Sequence, residues 1–128
     1  VTNASGQQTV NVVLVPAVPS IFTFTGVASG PAAAENAVTL AIIDAATPLH
    51  AGDYVALYIT GLGQAQTTTV TVGGQSCAGQ YFFAGPVPSS EGLDQVNCQI
   101  PTGVSGAAVP VIVTANGRAS NAATLNIQ

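Results

Sequence analysis

Apolar and polar residues alternate with a period of two along most of this chain, and a helical period is almost absent. The string TVNVVLV, residues 9–15, puts Val10, Val12 and Leu14 on one face with Asn11 opposite, and Val13 and Val15 complete its apolar run. Near the other end, ATLNIQ turns Ala123, Leu125 and Ile127 inward and Thr124, Asn126 and Gln128 outward. Between them DYVALYITG, TTTVTVG, GQYFFAG, DQVNCQI and AAVPVIVTA read as strands. Their separators, GLGQ, GG, GPVPSSEG, PTGVSG and ANG, are rich in residues that accept positive φ or preset a turn. Many short strands joined by turn chemistry predict an all-β sandwich.

Residues 20–50 are less regular. SIFTF predicts a short strand and AVTLAII a longer one. GVASGPAAAEN predicts a loop, because Pro31 and the glycines before it limit any helical turn at residues 32–34.

Composition narrows what such a sandwich can do. The chain has 128 residues, enough for one domain, and 48% hydrophobic content, enough for a core. Its charges are sparse: no lysine, Arg118 alone as a cation, and Glu35, Asp44, Asp53, Glu91 and Asp94 as acids. Phosphate binding depends on several Lys and Arg side chains releasing counterions, so nucleic acid and anionic membranes are excluded as partners. The apolar runs fall well short of the roughly 18 residues that a spanning helix needs. A chain opening at Val1 reads as a mature, processed product, although a trimmed one would look the same.

Cys77 and Cys98 are the only cysteines. In a reducing cytosol they would be buried thiols; in a small, lysine-free, Thr-rich β domain a disulfide is the better reading. No CxxC pair or neighbouring histidine supplies a zinc site. With Cys77 just past a GG turn and Cys98 in a later strand, the bond would pin the middle of the sandwich.

The same residues carry a resemblance. VTVGGQSC, NCQIP and VPVIVTANGRASNAATLNI together resemble the immunoglobulin-like domain shared by plexins and transcription factors, the IPT/TIG family. That family joins a VTVGG-type hairpin to a cysteine, sets a second cysteine before a proline-containing turn, and closes with a V-x-V-x-x-NG-x-x-SN strand pair. DYVALYITGLG is similar to its opening strand and glycine-rich turn. The resemblance covers about residues 52–128 and implies an immunoglobulin-like β-sandwich with an extra N-terminal strand. VPSIFTF, PLHAGDYVALYITGLGQ, GLDQVNCQIPTGVSG and SNAATLNIQ are also similar to a C-terminal domain of large secreted and surface proteins of Acidobacteria. That similarity implies a bacterial extracellular or cell-surface location and no chemistry. In that family an analogue of the upstream strand closes a preceding immunoglobulin-like unit, and this chain departs from the pattern by lacking the rest of that unit.

The two ends of the chain overlay. VTNASGQQTVNVVLV and VTANGRASNAATLNI share a VT start, a glycine-bearing turn and an alternating strand. If the second copy completes the sandwich of residues 20–128, the first is a final strand without a sheet, joined through the proline-containing linker that ends at residue 19. It either folds back onto its own domain or pairs with a neighbouring copy. The second option makes the chain an extracellular structural subunit that polymerises head to tail into a filament or surface layer. The alternative is an adhesion or glycan- or protein-binding module of a larger surface protein. Neither needs a cofactor or makes the chain an enzyme.

Other candidates are weaker in chemistry. His50 and Asp53 suggest acid–base work, but no nucleophile motif accompanies the single histidine. Glu91 and Asp94 offer two ligands where calcium takes six to eight oxygens. Tyr54 and Tyr58 share a strand face, and Phe82 points opposite to Tyr81 and Phe83; Tyr54, Tyr58 and Phe82 are candidate interface residues. Asn3, in NAS, is a candidate glycosylation site.

Overall fold

The computed structural model describes residues 18–63, 65, 67–88 and 90–128. Val10, Val12, Val13, Leu14, Val15 and Asn3 lie outside the described residues, as does most of the expected 1–19 strand and linker. What is described is an all-β sandwich of two antiparallel sheets.

The first sheet is built on β3 (Tyr54–Thr60), whose Val55, Leu57 and Ile59 are fully buried on one face. Along one edge of β3 run β1 (Ser20–Ile21) and β2 (Ala34–Asn36); on the other side lie β7 (Asp94–Gln99) and then β6 (Ala78–Pro86). In the second sheet β8 (Gly106–Ala115) is central. It is flanked by β4 (Thr68–Val72), with β5 (Gln75–Ser76) beyond, and by β9 (Arg118–Ala119) and β10 (Ala123–Ile127). Alternation explains the layers: Val96 and Cys98 of β7, Val70 and Val72 of β4, Val111 and Val113 of β8, and Leu125 and Ile127 of β10 all enter one buried cluster.

Turn chemistry sets the registers. Val72 faces Gln75 across Gly73 and Gly74, both at positive φ, and Ala115 faces Arg118 across Asn116 and Gly117, again both positive. These are two-residue hairpin turns of the kind that NG and GG sequences favour. Pro110 sits inside β8 without breaking it. Its carbonyl accepts from Gly73 N at 2.8 Å, beyond the last β4 pair, Val72 with Val111, so its missing donor falls where the ladder has ended. The SN of the closing motif is structural. Ser120 Oγ accepts from Val113 N where β9 gives way to β10, and the Asn121 side chain accepts from Ile21 N while donating to the carbonyls of Ile21 and Ala28.

The short strand expected in SIFTF is found as β1, but residues 34–43 differ from the sequence expectation. The strand falls at residues 34–36, where the composition predicts a loop, and much of AVTLAII is a turn. Asn36 is the cause. Its Oδ1 accepts from the amides of Val38 and Thr39, at 2.9 and 3.0 Å, and its carbonyl accepts from Leu40 N. This local bonding competes with an extended backbone and wins. The chain then returns beside β2, with a bridge from Glu35 to Ile42 and Ile43 N donating to Ala34 O. Elsewhere this region closes the edge of β10 in parallel: Ala32 N donates to Thr124 O, and Leu49 N to Asn126 O.

The disulfide joins Cys77 to Cys98 with their Cα atoms 5.3 Å apart, an ordinary span. Cys77 stands where the chain crosses from β5 to β6, and its amide donates to Val70 O in the second sheet, while Cys98 lies in the first. The bond therefore ties one sheet to the other. Closing a loop of this length stabilises by about 3 kcal/mol in the chain-entropy model. The double variant Cys77→Ala, Cys98→Ala is expected to lose about that much in urea denaturation. An unchanged midpoint would show that packing alone fixes the crossing.

Candidate interaction surfaces

The outward face of the first sheet collects the aromatic candidates. Because Val55, Leu57 and Ile59 point inward, Tyr54 and Tyr58 point out, opposite Gln99 and Gln95 of β7. Tyr54 Oη accepts from Tyr81 N at 3.1 Å, and the two rings meet edge to face at 5.7 Å. Tyr58 Oη donates to Glu35 Oε1 at 2.6 Å. Phe82 is half-buried and packs against the core, whereas Tyr81 and Phe83, on the opposite side of β6, are 69% and 45% exposed. The amides beside them are already engaged: Gln95 Nε2 donates to Asn97 Oδ1, and Gln99 Nε2 to Gly52 O.

The Tyr58–Glu35 bond, helped by desolvation and by the carboxylate's charge, pushes the Tyr58 phenol up to about 12 from its usual 10.0. Since the folded phenol holds its proton more tightly than the unfolded one, the pair's contribution is complete below pH 10 and is lost as pH rises through about 12.

A second surface is apolar. Of the exposed large hydrophobic side chains among the described residues, Phe22, Phe24, Val27, Val38, Leu40 and Ile42 all come from residues 22–42. Phe24 and Ile42 line a groove of about 320 Å³ with Pro31, Ile43 and Leu125, alongside β10. Asp44 also borders it, but its carboxylate is occupied by Thr47 N, Thr47 Oγ1 and Ala46 N, and these bonds hold its pKa below the usual range. Leu40 has φ of 65°, a left-handed conformation that costs a leucine about 1–2 kcal/mol. Sequence pattern alone does not mark any of these residues as a site. The available signal is AVTLAII itself, an alternating apolar string with more buried-type positions than one short hairpin can cover.

Among the remaining candidates, Asp53 and Asp94 have structural roles. Asp53 Oδ2 accepts from His50 N at 2.9 Å and lies 3.5 Å from His50 Nδ1, so the carboxylate closes the turn before β3 and the imidazole stays in solvent. Asp94 Oδ2 accepts from Leu62 N across the loop after β3, and Glu91 is exposed on a turn. Arg118 is exposed on β9.

No protein-family model, curated protein or solved structure matches this chain.

Tyr58→Phe is expected to remove the highest-pH component of phenolate absorbance in an alkaline titration, and Glu35→Gln to shift that component toward lower pH. A titration unaltered in its upper limb in both variants would mean that the Tyr58–Glu35 bond does not persist in solution.

Proposed function

We propose that the protein is an extracellular structural subunit that polymerises head to tail, its N-terminal strand pairing with a neighbouring copy. The observation that carries this reading is that the described residues from 18 onward form two sheets around one buried cluster. Residues 18–128 supply the central strands, the edges and a continuous buried cluster from Ile21 to Ile127. β10 occupies the closing position that the VTNASGQQTVNVVLV sequence mimics, and on this reading the segment with that sequence pairs with a neighbouring copy. Val18 N donates to Gly61 O at 2.8 Å, where an added Cβ would stand 1.9 Å from Val18 O, so Gly61 lets the tether cross the end of β3 closely. Leaving Val10, Val12 and Leu14 in water would forgo roughly 1.5–3 kcal/mol each.

The strand order supports an immunoglobulin-like, IPT/TIG-type body. With β1 and β2 as strand A, β3 as B, β4 as C, β6 as D, β7 as E, β8 as F and β9–β10 as G, the pairing gives sheets ABED and CFG. The disulfide departs from the usual B–F position by tying the C–D crossing to E. An extracellular location accords with that bond, and among the described residues no helix is long and apolar enough to cross a membrane.

The second reading, a glycan-binding surface module, draws on the exposed Tyr81 and Phe83 rings. It is weaker because the neighbouring amides bond each other or the backbone. It predicts retention on an insoluble polysaccharide that Tyr81→Ala abolishes.

For the assembly reading, negative-stain microscopy and size-exclusion chromatography of the full chain should show polymers. Deleting residues 1–15 should give monomers that keep the disulfide and the β-rich circular dichroism. Full-length monomers at high concentration, or polymers that survive the deletion, would overturn it.

A further inference from the structure

We infer that the groove beside β10 binds a small aliphatic amine, its hydrocarbon chain among Phe24, Ile42 and Leu125 and its ammonium at Asp44. The site is formed by one chain and is independent of assembly.

The groove has a fixed apolar floor and an exposed apolar rim. Ala32, Ile43 and Leu125 of its lining are buried, whereas Phe24 and Ile42 are 52% and 50% exposed. Its volume of about 320 Å³ falls at the lower end of the roughly 300–1,000 Å³ found for small-molecule sites. A hydrocarbon chain lying there covers two large side chains that otherwise face water, and this drives the apolar part of binding.

The surroundings offer side-chain surface and no run of free backbone amides. Along the turn that leads into the groove, the amides of Val38 and Thr39 donate to Asn36 Oδ1, Leu40 N to Asn36 O, Ala41 N to Thr39 Oγ1 and Ile43 N to Ala34 O. On the β10 side, the carbonyls of Thr124 and Asn126 accept from Ala32 N and Leu49 N. An extended peptide therefore has no ladder to join. The occupant is held by apolar contact and by the polar side chains at the margin.

Asp44 sets the charge of that occupant. It is the one charged residue among the described lining of the groove. Its bonds from Ala46 N, Thr47 N and Thr47 Oγ1 all end on Oδ1, and they keep the carboxyl ionised at neutral pH. Among the described residues Oδ2 accepts no hydrogen bond, so the carboxylate is fixed through one oxygen and open at the other. An ammonium group supplies the charge and the donors that this oxygen lacks. A carboxylate or phosphate head would instead be repelled by Asp44 and by the chain's net charge of −4.

The test uses the full-length chain, dialysed to equilibrium at neutral pH and low ionic strength against n-hexylamine, n-hexanol or n-hexanoate. The three probes share a hydrocarbon chain and differ in the head. Saturable binding of the amine is expected, roughly threefold tighter than hexanol and roughly tenfold tighter than hexanoate, the scale of an ion pair open to solvent. Asp44→Asn keeps Oδ1 as the acceptor for Ala46 and Thr47 and is expected to bring the amine to the level of hexanol. Glu91→Gln makes the same change in net charge on an exposed turn elsewhere and is expected to leave all three affinities unchanged. Phe24→Ala and Ile42→Ala should each weaken all three probes severalfold, with circular dichroism checking that the sandwich stays folded. Equal binding of amine and hexanoate, a preference that survives Asp44→Asn, or equal losses in Asp44→Asn and Glu91→Gln would overturn the amine assignment. Binding indifferent to both Phe24→Ala and Ile42→Ala, or no saturable binding, would overturn the groove as the site.

Discussion

The structure depends on two inner faces filling one another. Val55, Leu57, Ile59 and Val96 of the first sheet meet Val70, Val111, Val113 and Leu125 of the second, and all are buried at 2% exposure or less. A one-residue slip in any of these strands would turn its apolar set toward solvent. The tight GG and NG turns prevent such a slip in the second sheet, and the Cys77–Cys98 bond anchors the crossing that connects the two layers. These local devices matter because so few charges are present to penalise alternative packings: one arginine and five acids in 128 residues. Specificity must come from geometry.

The same scarcity shapes the polar groups that remain. Each acid that the structure describes in a bond acts locally. Asp44 and Asp53 close turns, Asp94 holds the loop after β3, and Glu35 binds Tyr58. Carboxylates placed this way stabilise turns and sheet faces without building a field around the molecule. Little long-range repulsion is then left to keep copies apart, and little charge must be desolvated when surfaces meet.

The strands with clean alternation are legible in the sequence because each buries one face and exposes the other. ATLNIQ is the clearest case, with Ala123, Leu125 and Ile127 buried and the residues between them more exposed. The two-sheet architecture and the disulfide follow from turn residues and from two cysteines in a lysine-free chain. Residues 34–43 defeat the pattern for a physical reason. The β propensity of AVTLAII takes no account of the side chain just before it, and Asn36 turns the backbone where the string would otherwise extend. The parallel closure of β10 by residues 31–32 and 49 leaves no sequence signal, since it involves single bridges without a strand-length pattern. Of the candidate surfaces, Tyr54 and Tyr58 are visible as a shared face, but the bond from Tyr58 to Glu35 joins residues 23 apart that no local pattern connects.

The mismatch at residues 34–43 also carries information. A segment with strand composition that folds as a turn and leaves Val38, Leu40 and Ile42 in water is in local conflict with its own sequence. Conflicts of this kind concentrate where function has a claim on the residues. An exposed apolar run of this kind is an aggregation hazard on a protein with almost no charge to guard it.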